Sequence, residues 1–96
     1  MQFDQKYGII YDRMSKSDIE DKVRRVIGDI LKVSADRIVP SALLVNDLGA
    51  DGIDVVSVFM DLESEFGVAF PEDEVKTMNT VGAIVEYLQN AITQNG

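Results

Sequence analysis

The chain has 96 residues with neither cysteine nor histidine, so it has room for one domain and lacks a disulfide framework, a Ser–His pair and most zinc chemistry. Its composition, 46% hydrophobic and 27% charged, is globular, and no apolar run approaches the ~20 residues of a membrane span. The formal net charge is −8, and residues Ile38–Val75 hold nine acids and no Lys or Arg, whereas the remainder, with eight acids and nine bases, sums to +1. Such a stretch disfavours nucleic acid and anionic lipid and suits a basic protein patch; the plainer alternative is a surface kept for solubility. Crowding of like charge also implies a fold made firmer by divalent cations. The absence of cysteine and of a secretory h-region gives the expectation of a cytoplasmic protein, with monomer as the default state.

Taken in chain order, residues 1–16 carry Phe3, Tyr7, Ile10, Tyr11 and Met14 at loosely helical spacing interrupted by Gly8, and are expected to form a flexible N-terminal extension to a domain over 17–96. A capping box at Ser17-Asp18-Ile19-Glu20 predicts a first helix, with Ile19, Val23, Val26/Ile27 and Ile30/Leu31 on its buried side. Residues 32–51 form a long connection whose Val33, Ile38, Val39, Leu43, Leu44, Val45 and Leu48 are expected to pack down on the bundle. A second helix is predicted from just after Asp51 to Phe66, closed by Gly67 as C-cap. Pro71 with acids behind it predicts one short helical turn. A last helix follows Thr80 as N-cap, with Val81, Ile84, Val85, Leu88 and Ile92 on its core stripe. The expected fold is all-α: a small four-helix bundle of three longer helices and one short helix, with a long loop between the first two.

The second helix has two apolar stripes. Val55, Phe59, Leu62 and Phe66 share one face, with Val58 at its edge; Ile53, Val56 and Met60 form another well over 90° away. A surface helix in a small bundle needs one such stripe. The second stripe therefore either packs beneath the 32–51 loop or forms a docking ridge, apolar along its middle and ringed by acids.

Asp47-Leu48-Gly49-Ala50-Asp51-Gly52 is not a calcium loop, because Gly49 and Val58 stand where oxygen ligands are required at its third and twelfth positions. Nor do Asp51 and Asp54 make a convincing acid–base pair, since no nucleophile or electrophile stands near them and N-capping accounts for both. Neither an enzyme nor a metal site is expected. The run Asp47-Leu48-Gly49-Ala50-Asp51-Gly52-Ile53-Asp54 instead closely resembles the signature of acyl carrier proteins, Asp-Leu-Gly-Ala-Asp-Ser-Leu/Ile-Asp. The resemblance extends over about residues 17–93 and includes the Glu-x-Glu-Phe-Gly end of the second helix and Asn79-Thr80-Val81 before the last.

That resemblance implies a carrier of acyl intermediates on 4′-phosphopantetheine in fatty-acid, specialised lipid or polyketide synthesis. It implies that the second helix is the recognition helix, with Ile53, Val56 and Met60 as apolar contacts and Asp54, Asp61 and Glu63 among its acids. The implied partners are basic patches on a phosphopantetheinyl transferase, ketosynthase, acyltransferase or acyl ligase. Ser57 and Ser64 stand where the family often has Glu, an opening for a different choice of partner.

One departure bears on the chemistry. The family's attachment Ser, which follows the residue matched by Asp51, aligns with Gly52, and glycine has no hydroxyl from which to form a phosphodiester. A helix start suits an anionic phosphate, and glycine there is cheap for the fold. Because the surrounding motif is intact, Gly52 is read as a replacement of that Ser in a true carrier; a docking module that binds partner enzymes without cargo is the alternative.

Overall fold

The first helix starts two residues earlier than the sequence pattern predicts. In the computed structural model, which describes residues 14–95, α1 spans Lys16–Leu31 and its N-cap is Ser15. The Asp18 backbone N–H donates to Ser15 Oγ and the Ser15 N–H to Asp18 Oδ2, each at 3.1 Å, so the capping box is Ser15–Asp18 rather than Ser17–Glu20. Burial explains the choice. With Ser15 as cap, Met14 precedes it and Ile19 becomes the fourth helical residue, the spacing of a hydrophobic staple. Ile19 is buried, and Met14 packs against the core to which it belongs. The expected extension, residues 1–16, lies outside the described residues as far as residue 13.

A 3₁₀ turn at Ala35–Arg37 is followed by α2 (Gly52–Phe66), α3 (Glu72–Val75) and α4 (Val81–Asn95). The described residues are thus all-helical, with three longer helices and one short one, as the periodicity predicts. The bounds of α2 agree residue for residue: Asp51 caps the start, and Gly67 ends it at φ 65° in the left-handed region that glycine enters without penalty. Thr80 Oγ1 accepts the Ala83 N–H at 3.1 Å, the expected cap of α4. α1 packs against both α2 and α4, and one core runs through Ile19, Val23 and Ile27 of α1, Val58 and Leu62 of α2, and Ile84 and Leu88 of α4. No helix among the described residues is long and apolar enough to cross a membrane.

The long connection is ordered by hydrogen bonds. Gly82 N–H donates to Pro40 O (2.9 Å), Val81 N–H to Ala42 O (3.1 Å) and Leu44 N–H to Asn79 O (3.1 Å), which ties the loop to the start of α4. Ala50 N–H then donates to Leu44 O at 2.9 Å, fixing the residue before the Asp51 cap. Ile38, Leu44 and Leu48 are buried as expected, together with Ala42 and Ala50, which the pattern did not single out. Val39 and Val45 are exposed, contrary to expectation. Val45 lies inside a tight turn, Leu43–Leu48, whose own backbone bonds decide which side chains face inward.

Candidate functional site

Gly52 is the first residue of α2, and Asp51 and Asp54 embrace it. Asp54 N–H donates to Asp51 Oδ1 (2.8 Å), and Asp51 N–H donates to Asp54 Oδ2 (3.3 Å). Both carboxylates therefore satisfy free N–H groups at the helix start, where negative charge also suits the helix dipole. Gly52 itself is exposed, and a Cβ added there would meet nothing within 4 Å. A small side chain at this position would point into open space.

The second apolar stripe is outside the fold. Ile53, Val56 and Met60 are 78%, 57% and 61% exposed, and the 32–51 loop leaves them uncovered. On the inner side Val58 is fully buried with Phe59, Leu62 and Phe66, while Val55 is only half-buried. The buried face is therefore turned towards Val58, and Val55 moves to the rim. There it lines a shallow groove with Leu43, Val45, Val75 and Met78.

The acids divide into two kinds. Asp61 is exposed beside Met60 and Asp54 is half-exposed at the helix start. Glu63 is half-buried, and its Oε2 accepts the Phe70 N–H at 2.9 Å. It braces the turn between α2 and α3, a role not legible from helical periodicity because its partner lies seven residues on, beyond the helix. The Phe70 ring meets Phe59 edge-on at 5.0 Å and stacks on Tyr87 at 5.1 Å, and the Tyr87 hydroxyl donates to Ala69 O at 2.9 Å. Burial, with Glu74 and Glu63 nearby, pushes the Tyr87 phenol above its ordinary value. Asp47 is likewise a structural residue: its Oδ2 accepts the Leu43 N–H (2.8 Å), and its carbonyl accepts from Arg37 Nη2 (2.8 Å). Among the described residues no group of three or more carboxylates is placed to hold a metal ion.

The family profile described as "Phosphopantetheine attachment site" matches residues 21–88. The acyl carrier protein of Thermosynechococcus vestitus is 37% identical over 79 residues, which cover 82% of this chain and 98% of that protein. A solved structure of the acyl carrier protein from Enterococcus faecalis superposes with a TM-score of 0.70 at 29% identity, covering 81% of this chain and 99% of that one. The fold and the exposed helix start define a phosphopantetheine-type carrier domain. The chain belongs to the acyl carrier protein family, whose cofactor is 4′-phosphopantetheine and whose members are carriers that work with biosynthetic enzymes, not catalysts.

Proposed function

We propose that this chain is a carrier domain for acyl intermediates of fatty-acid, specialised lipid or polyketide synthesis, with Gly52 standing at the attachment position in place of the family's Ser. The observation that carries this reading is the exposed glycine opening α2 between two capping aspartates, inside an otherwise complete signature. The residues present do not fit covalent attachment: a phosphodiester needs a hydroxyl, and Gly52 has none. Ser57, the next hydroxyl along α2, stands more than a turn further on. As written, the chain stays unprimed.

Docking falls to α2. Ile53, Val56 and Met60 supply exposed apolar area, while Asp54 and Asp61 supply charge that attracts a basic patch on a phosphopantetheinyl transferase, ketosynthase, acyltransferase or acyl ligase. Glu63 contributes less directly, because one of its oxygens already accepts from Phe70. The groove beside Val55 is mostly apolar, with Asn46, Lys76 and Asn79 also on its walls, and that lining is compatible with the same reading. The protein is taken to act as a cytoplasmic monomer, with residues 1–13 as an extension to a domain that begins at Met14.

Gly52→Ser tests the proposal. Incubated with coenzyme A and a phosphopantetheinyl transferase, the Ser form should gain one phosphopantetheine by intact mass and the Gly form none. A Ser form that gains nothing contradicts the carrier reading. A second reading, a module that only docks, rests on the same ridge, which is complete without the hydroxyl. It expects the Gly form to bind a synthase with a strength that falls with salt, and fails if no such binding occurs.

A further inference from the structure

The apolar ridge contains one residue whose polarity chemistry can change. Met60 lies on the ridge and is 61% exposed, whereas Met78 is 5% exposed and Met14 packs against the core. A thioether oxidises at a rate set by access, and its sulfoxide is polar where the thioether was apolar. We propose that Met60 is a site of reversible oxidation, at which a peroxide converts the ridge from an apolar to a polar surface and so weakens docking. The thioether sulfur attacks one peroxide oxygen, an S–O bond forms and the O–O bond breaks. The displaced hydroxide takes the proton from the new S–OH group and leaves as water. Sulfur loses two electrons and the peroxide gains them; the return step takes two electrons and two protons from a dithiol through a methionine sulfoxide reductase, which leaves a disulfide and releases the oxygen as water.

The position makes the change consequential. Ile53 and Val56 stand N-terminal to Met60 on the same stripe, so a sulfoxide oxygen at Met60 places a hydrogen-bond acceptor at the end of a continuous apolar strip. A partner that covers the strip must then strip water from that oxygen without replacing its hydrogen bonds. The fold itself should be indifferent, because Met60 lies outside the core.

The site and its effect are tested separately, since only the effect rests on the docking role proposed for α2. The full chain is treated with hydrogen peroxide, quenched, and mapped by peptide mass. The peptide bearing Met60 should gain one oxygen about tenfold faster than that bearing Met78, and a methionine sulfoxide reductase should remove it. Gly52→Ser protein treated in the same way should then be primed by a phosphopantetheinyl transferase about tenfold more slowly at limiting concentration. Gly52→Ser carrying Met60→Leu should show no slowing after peroxide, whatever its starting rate. Oxidation of Met78 or Met14 ahead of Met60, or an unchanged priming rate with Met60 fully oxidised, overturns the proposal. Failure of unoxidised Gly52→Ser protein to be primed strikes the carrier reading instead, and the peptide map still decides whether Met60 is the oxidation site.

Discussion

Asp51 and Asp54 hydrogen-bond each other's backbone across Gly52, at 2.8 Å in one direction and 3.3 Å in the other. This reciprocal cap occupies both carboxylates in opening α2, which is why they do not form an acid–base pair. Asp51→Ala should cost about 1 kcal/mol of stability in urea unfolding, the usual worth of an N-cap. Asp54→Ala should cost less, and the double variant less than the sum, because each side chain supports the other's geometry. Gly52→Ser should leave stability within about 0.5 kcal/mol, since its Cβ meets open space.

The brace from Glu63 to Phe70 gives a second expectation. Glu63→Ala removes a charged acceptor from a half-buried N–H and should lower stability by about 1–2 kcal/mol, whereas Glu63→Gln retains an acceptor oxygen and should lose less. Calorimetric melting of the two variants separates this bracing role from a purely docking one, in which neither substitution would move the melting temperature.

How much of this was legible in the sequence depends on the range of the interactions. α2 could be bounded to the residue because its cap, its apolar period and its terminal glycine are all local signals. The start of α1 could not, because Ser15 and Ser17 each stand three residues before an acid, and the choice between them rests on Met14 reaching the core. The exposed positions of Ile53, Val56 and Met60 were one of two readings; only the path of the loop decided between them. The path of the loop likewise leaves Val39 and Val45 exposed, which their apolar character alone does not foretell. The Glu63–Phe70 bond joins a helix to the turn beyond it, and no periodicity announces such a contact.

The ion pair between α1 and α2 gives a pH dependence with a definite sign. Lys22 Nζ lies 2.8 Å from Glu65 Oε1, and the hydrogen bond and charge of Lys22, helped by Arg25, hold the Glu65 carboxyl below its ordinary value of 4.5. A carboxyl whose pKa is lower folded than unfolded stabilises the fold above its unfolded pKa and loses that contribution as pH falls through the folded value. Both side chains are substantially exposed, so the worth is only a few tenths of a kcal/mol. Lys22→Met should narrow the difference in melting temperature between neutral pH and pH about 3 without shifting the acid limit itself. An identical pH profile in wild type and variant would show the pair to be energetically idle.

At Gly82 the long loop lies close against the start of α4. A Cβ there would sit 3.0 Å from Pro40 O, and the Gly82 N–H already donates to that same oxygen at 2.9 Å. Gly82→Ala should therefore destabilise by about 1–2 kcal/mol despite its better helix propensity. Because the loop leads directly into Asp51, amide exchange at residues 42–50 should also quicken in that variant.

The most direct measurement sets the Gly52 chain against its Gly52→Ser form in one priming reaction. The Ser form alone should acquire a single phosphopantetheine, mapped by peptide mass to residue 52, and excess Gly52 chain should slow that reaction competitively, with an inhibition constant within about threefold of the Ser form's KM. A Ser form left unmodified, or an arm mapped to Ser57 or elsewhere, would contradict the central claim that residue 52 is the attachment position of an intact carrier surface.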